Sequence, residues 1–270
     1  MYIYKYRRFD ENSLNALKNN EIWFSRGVKF NDPFDCSLNV PITLMSITSI
    51  RKFINVNKNN SLLLELAKNN EDLIDFIVNQ QIEKNREYIE NNSIERTDLY
   101  PVYELVMASL SRAFICCFSQ TATNSLLWSH YSNSHTGFCL RFKKDVLLND
   151  LSLFDYGEVK YTNEPINLME GLYDNSNPAR NIIFTKDENW RYEQEFRLVH
   201  QDVARNNEDD YRVCKYSDES IDCIILGYNS SPECYQEIRK IINDKKIILK
   251  KIERSNYGFK LYVGTDRYLR

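Results

Sequence analysis

Two glutamates separated by one residue stand in the aromatic and charged segment Trp190–Arg197. Side chains on a β-strand alternate between its two faces. If this segment is a strand, Glu193, Glu195 and Arg197 share one face, while Phe196 points to the core on the other. This spacing would bring two carboxylates and one guanidinium together, so the segment is the first candidate for a functional site.

A pair of carboxylates suits a reaction that builds positive charge on a sugar ring. In such a reaction Glu195 would hold a ribose 2′-hydroxyl and stabilise oxocarbenium character, and Glu193 would orient or deprotonate an acceptor. The same spacing is also typical of a solvated strand face on which Arg197 forms salt bridges with the glutamates. The residues themselves leave both interpretations open.

Other polar residues are weaker candidates. Asp32 precedes a proline, and a rigid turn in which its carboxylate caps backbone amides is favoured over a catalytic acid. Lys186 could bind phosphate or pair with the acids that follow it, and His130 is more readily explained as a surface residue than as a base. With three His and no Cys-x-x-Cys spacing among seven Cys, no metal site is expected.

Composition restricts the partners. The formal net charge is −3 over 270 residues, so the chain has no general basic character of the kind that attracts nucleic acid. No apolar run approaches the length of a membrane span, and the first residues do not resemble a signal peptide. The sequence therefore predicts free thiols, a cytoplasmic location and no membrane partner.

Short strand patterns alternate with helical ones along the chain. Strands are predicted at residues 2–6, 21–25, 113–119, 137–142, 159–161, 221–227, 247–252 and 259–263. Residues 195–200 and 211–215 are expected to pair as a hairpin-like unit. Glycine-free helical patterns fill residues 42–112, which are interpreted as a helical insertion. The predicted fold is one α+β domain over residues 1–270, with a mixed, mainly antiparallel sheet.

Several segments together resemble a bacterial family known as domain of unknown function 2971. The segments that carry this resemblance are Tyr4–Arg7, Glu21–Ser25, Phe30–Asp35, Cys117–Ser119, Leu127–Tyr131, Gly137–Phe142, Val159–Tyr161, Trp190–Arg197 and Ile224–Gly227, with Lys186. They span nearly the whole chain apart from the helical insertion. The family itself implies no activity.

The order of the motifs also resembles that of ADP-ribosyltransferases, in which a first strand, a mid-chain polar element and a late Glu-x-Glu share the site. This resemblance implies NAD as a substrate, with no metal, and the catalytic residues Glu195 and Glu193. The implied NAD-binding residues are Tyr4, Tyr6, Arg7, Ser119, Trp128, Tyr131 and Arg197. A bacterial toxin or phage-defence effector would fit, with an unknown protein or nucleic acid as acceptor. The first strand carries no His, and no Ser-Thr-Ser motif is present, which departs from that pattern.

Two other functions remain open on the sequence. A metal-dependent nuclease would use Asp32, Lys186 and the two glutamates around a cation. A non-catalytic module would recognise a ligand or partner through its Tyr and Trp side chains, with the helical insertion as the partner-binding element. A closed pocket beside the glutamates would favour an enzyme, whereas clustered acids would favour the nuclease.

Overall fold

The structure is a computed structural model that describes residues 1–38, 71–91, 93–96, 100–164, 177–202 and 209–265. Within them the chain forms two compact units. The first comprises residues 1–29, 113–161 and 188–270, and the second comprises residues 30–112 and 162–187. Whether the chain acts as one domain stays a prediction.

The first unit contains a mixed, mainly antiparallel sheet, which confirms the predicted α+β class. Ten strands join it within the described residues: β1 (Tyr2–Arg7), β2 (Glu21–Ser25), β3 (Ala113–Ser119), β4 (Phe138–Lys143), β5 (Asp155–Glu158), β8 (Glu195–Gln201), β9 (Tyr211–Lys215), β10 (Ile221–Leu226), β11 (Ile248–Arg254) and β12 (Leu261–Val263). The order is β12-β11-β10-β4-β1-β3-β2-β9, and β8 pairs with both β3 and β5. The β10–β11 pair is parallel. The short strands β6 (Lys160–Thr162) and β7 (Thr185–Asp187) lie outside this sheet.

Local sequence signals explain the helices of this unit. They are α1 (Glu11–Lys18), α4 (Ser125–Tyr131), α5 (Lys144–Asp150) and α7 (Pro232–Ile241). Asp10, a residue type that favours the N-cap position, accepts a hydrogen bond from the Ser13 amide, and Ser231 caps α7 ahead of Pro232. α5 was not predicted, because its seven residues carry no helix signal beyond two adjacent leucines.

Strand β3 is the junction of the sheet. Its last residue, Ser119, stands opposite Tyr4 of β1 on one side and opposite Glu195 of β8 on the other. Its third residue, Ile115, stands opposite Ser25 of β2. Residues directly opposite in adjacent strands project to the same face. Three of the predicted site residues therefore form one row across three strands.

Apolar clusters cover both faces of the sheet. The larger one packs α1, α5 and α7 against side chains such as Ile3, Phe118 and Phe196. The smaller one packs α4 against Tyr6 through Trp128, a residue of α4 that is fully buried. Tyr4 also packs in the smaller cluster, whereas Ile3 packs in the larger one, as the alternation of side chains along a strand requires.

The second unit is helical where it is described. It contains α2 (Glu71–Glu90), α3 (Tyr100–Leu110) and α6 (Pro178–Ile183), with a 3-10 turn at Ile94–Arg96. Val106 of α3 packs on Ile182 of α6. The helical interpretation is confirmed for α2 and α3, and the helices expected between residues 50 and 66 lie outside the described residues.

One predicted pairing is wrong. Strands β8 and β9 do not pair with each other, because β8 pairs with β3 and β5, and β9 pairs with β2 at the edge of the sheet. The proximity of the two strands in sequence suggested a hairpin, but the hydrogen bonds are made with strands far away along the chain.

Gly137 is required where the turn after α4 meets β1. A Cβ atom at this position would stand 2.1 Å from the carbonyl oxygen of Arg7, which is backbone and cannot move aside cheaply. We therefore expect Gly137→Ala to lower the free energy of unfolding by about 1–3 kcal/mol or more, as overpacking does. Urea unfolding followed by circular dichroism would measure the change. Val28→Ala, at an exposed position, is the control and should change stability little; equal stabilities would contradict the packing argument.

Candidate functional site

The chain bends between the two glutamates. Residues Glu188–Glu193 form a 3-10 helix, and the strand begins only at Glu195. Gln194 lies between them in the left-handed region, at φ 45°, which is uncommon for a residue other than glycine. The expectation of one continuous strand over Trp190–Arg197, with both glutamates on one face, is therefore wrong.

Glu195 and Arg197 form a buried ion pair. The Arg197 Nε donates to Glu195 Oε2 at 2.8 Å, and a terminal guanidinium nitrogen donates to Oε1 at 3.2 Å. Arg197 is 0% exposed and Glu195 is 4% exposed. Gly157 of β5 stands opposite Arg197 and brings no side chain to that position. The salt bridge suggested by the sequence exists, but the solvated face does not, because both strand faces are buried.

Glu193 is directed to a different partner. Its Oε1 accepts a hydrogen bond from the Tyr131 hydroxyl at 2.6 Å, and the residue is 2% exposed. Ser119 Oγ donates to the Glu193 carbonyl at 2.7 Å, and the Asn124 side-chain amide donates to the Tyr192 carbonyl at 3.0 Å. The 3-10 segment is thus fixed to the end of β3 and to the start of α4, and the carboxylate is held against Tyr131.

Tyr6 and Trp128 form the rigid support of this region. Their rings meet edge to face, with centroids 5.1 Å apart. The Tyr6 hydroxyl donates to the Thr121 carbonyl at 2.8 Å, and the Trp128 indole donates to the Ala122 carbonyl at 2.8 Å. Burial raises the pKa of Tyr6 far above its ordinary value, so its hydroxyl remains a neutral donor.

A cavity of about 550 Å³ opens in the first unit beside these residues. Its lining consists of Lys5, Tyr6, Arg7, Arg8, Asp10, Asn12, Ser13, Ala16, Trp23, Ser25, Tyr131 and Tyr211. The predicted residues Tyr6, Arg7 and Tyr131 therefore meet around one space, and Glu193 is one hydrogen bond away from it. This volume falls within the range of about 300–1,000 Å³ that small-molecule sites occupy.

The lining of the cavity contains three cationic side chains, Lys5, Arg7 and Arg8. Neither Arg7 nor Arg8 forms a salt bridge within the described residues, and Asp10 is the one carboxylate in the lining. Lys5 donates to the Cys117 carbonyl at 2.7 Å. Two guanidinium groups without an acidic partner favour an anionic ligand, because guanidinium pairs with phosphate in a two-pronged geometry.

Sequence reasoning missed the aromatic side of the cavity. Trp23 and Tyr211 line it with ring centroids 6.1 Å apart, and they are 43% and 50% exposed. They lie on β2 and β9, which are paired although nearly 190 residues separate them. The signal available in the sequence was Trp23 itself, which alternates with Ile22 and Phe24 in a strand pattern.

Four other predicted residues are not part of the cavity lining. Tyr4 is half-buried next to Arg141, Ser119 and Trp128 are buried within the sheet and helix contacts above, and Arg197 is taken up by Glu195. Burial raises the pKa of Tyr4, although Arg141 opposes the shift. Their predicted roles towards NAD stay predictions, and their observed contacts are with the protein.

The residues proposed for a nuclease contact different partners. In the second unit, Asp32 accepts a hydrogen bond from the Phe34 amide, as the capping interpretation predicts, and Lys186 pairs with Asp35 at 3.3 Å. In the first unit, Glu193 and Glu195 contact Tyr131 and Arg197. Across the described part of the chain, no group of three or more His, Cys, Asp or Glu could hold a metal ion.

The ion pair predicts a large effect of Glu195→Gln on stability. Because the substitution removes the carboxylate charge that pairs with the buried Arg197 guanidinium, it should lower the free energy of unfolding by about 3–5 kcal/mol. Adding Arg197→Met should recover a substantial part of that loss. Glu158→Gln, at an exposed position of β5, is the matched control. Chemical unfolding measures all four proteins, and a Glu195→Gln protein as stable as the control would contradict the assignment.

No helix in the described residues is long and apolar enough to cross a membrane. No curated protein and no solved structure matches the chain. One family model does match, over residues 127–198, and this segment contains Tyr131, Glu193 and Arg197. Over that part, the chain is similar to the family described as "Protein of unknown function (DUF2971)", which confirms the first of the two resemblances.

Proposed function

We propose that the first unit binds NAD in the cavity beside Tyr131 and cleaves its nicotinamide–ribose bond, as an ADP-ribosyltransferase or NAD glycohydrolase. The observation that carries the proposal is that Tyr131 joins the Glu193 carboxylate to a cavity lined by Arg7 and Arg8, which form no salt bridge with any described residue. A cytoplasmic toxin or phage-defence effector would use such an activity, with a protein or nucleic acid as the acceptor.

The lining suits the parts of NAD. Arg7 and Arg8 supply charge for the pyrophosphate. Trp23 and Tyr211 offer exposed rings on which a base can stack, and stacking on aromatic side chains is favourable for any base. Asn12 and Ser13 add polar side chains to the lining.

The chemistry assigns the charge-stabilising role to Glu193. Departure of nicotinamide leaves positive charge on the ribose, and a buried carboxylate stabilises it more than an exposed one does. In the proposed complex, the ribose 2′-hydroxyl takes the place of the Tyr131 hydroxyl at Glu193 Oε1. Tyr131, which holds this carboxylate by a hydrogen bond in the free protein, then gives up its place to the substrate hydroxyl.

Glu195 takes a positioning role in this arrangement. Its carboxylate already binds Arg197 through both oxygens, so its charge is compensated inside the protein. The pair fixes the start of β8 and hence the bend at Gln194 that carries Glu193. The sequence alone favoured Glu195 as the reacting carboxylate, and the turnover of each Glu→Gln variant, normalised to its folded fraction, decides between them.

Glu193→Gln should abolish most of the turnover while the protein stays folded. Removing the charge that faces the ribose should lower nicotinamide release from NAD by about 10²–10³-fold. Chromatographic quantification of nicotinamide measures the rate, and circular dichroism checks the fold. Glu158→Gln is the control and should keep the wild-type rate. Equal nicotinamide release by wild type and Glu193→Gln would refute the assignment, and so would the absence of release from the wild type.

Arg7→Ala should weaken NAD binding, because it removes one of the two unpaired cations. Loss of a hydrogen bond to a charged group of about 1.5–3 kcal/mol corresponds to a roughly ten- to hundredfold higher Kd. Calorimetric titration with NAD measures the affinity. Arg239→Ala removes an exposed cation of α7 that is outside the lining, and it should bind NAD as the wild type does. If both variants bind equally well, the phosphate assignment is wrong.

A further inference from the structure

The loop between β11 and β12 exposes two aromatic rings completely. Tyr257 and Phe259 flank Gly258, and neither side chain is covered by the protein. The loop is nevertheless closed by internal bonds, since the Ser255 amide donates to the Lys260 carbonyl at 2.8 Å and the Lys260 amide to the Gly258 carbonyl at 2.9 Å. We call residues 255–260 the aromatic tip. A loop that orders its backbone and leaves two large rings in water presents them to a partner.

Cations flank the rings on both sides. Arg254 precedes the aromatic tip and Lys260 ends it, and both are exposed. The described part of the chain offers neither of them a salt bridge. The nearest carboxylate in sequence, that of Glu253, accepts the Tyr262 hydroxyl at 2.8 Å. With one carboxylate against two cations, residues 253–260 carry a formal charge of +1 on a chain whose formal net charge is −3.

We propose that the aromatic tip binds single-stranded nucleic acid by stacking bases on Tyr257 and Phe259. Unpaired bases present flat faces that stack on exposed rings, and their phosphates pair with Arg254 and Lys260. A duplex covers those faces, so it is a poor ligand for the rings. Because the net charge of the chain is slightly negative, nonspecific electrostatic attraction to nucleic acid is weak. The preference for single strands therefore has to come from stacking of the bases on the two rings.

The interaction is separate from NAD cleavage. Neither Tyr257 nor Phe259 lines the cavity that Tyr6 and Tyr131 share, so the two surfaces can succeed or fail independently. If the NAD assignment also holds, the aromatic tip would hold a nucleic acid as the acceptor for ADP-ribose.

Fluorescence anisotropy of labelled twelve-nucleotide single strands tests the proposal with the full chain. Tyr257→Ser/Phe259→Ser should weaken binding by roughly fivefold to a hundredfold for each lost stack. An abasic strand of the same length and a duplex should both bind more weakly than the single strand. Phe154→Ser, which removes another exposed aromatic side chain of the same unit, should bind as the wild type does.

Three results would overturn it. The wild type does not bind single strands, or the double variant binds as well as the wild type, or abasic and base-containing strands bind equally. Light scattering tests the alternative partner, which is a second copy of the chain. That partner is indicated if the wild type binds no single strands but self-associates, while the double variant is monomeric. Since the substitutions remove only exposed side chains, unchanged thermal unfolding confirms that the variants are folded.

Discussion

A charge inside a sheet is the constraint on which this structure depends. Arg197 is fully buried, and burying a guanidinium costs several kcal/mol unless a carboxylate accompanies it. Glu195 supplies that carboxylate from the same strand, and Gly157 leaves the opposite position of β5 without a side chain. A shift of β8 by one residue against β5 would place Tyr156 or Glu158 opposite Arg197 instead of Gly157, so the buried pair favours the observed register.

The bend at Gln194 follows from the same constraint. Glu195 is held in the sheet, whereas Glu193 is fixed by Ser119 to the end of β3 and by its carboxylate to Tyr131. The left-handed residue between them lets two nearby acids enter different environments. One becomes part of the scaffold, and the other meets the wall of a cavity. Environments that separate the roles of two carboxylates are a recurrent feature of enzymes that act on sugars.

Helix caps and strands that depend on local residue type can be predicted from the sequence. The caps at Asp10 and Ser231 and the strands from Tyr2 and Ala113 follow from residue type and alternation, and the structure confirms them. The bend at Gln194 could not be predicted, because alternation over Glu193–Arg197 suits a strand and only the bonds to distant residues break it. The cavity was missed in part for a related reason. Trp23 and Tyr211 become neighbours only when β9 pairs with β2, and the expected hairpin would have placed β9 elsewhere.

The central claim is that the cavity beside Tyr131 places NAD with its nicotinamide ribose at Glu193. A crystal structure of the Glu193→Gln protein soaked with NAD tests it most directly, because this variant should bind the dinucleotide without cleaving it. In that structure we expect the pyrophosphate to contact Arg7 and Arg8, and the ribose 2′-hydroxyl to lie within hydrogen-bond distance of residue 193. NAD bound elsewhere, or an unchanged cavity at NAD concentrations that saturate binding in solution, would contradict it.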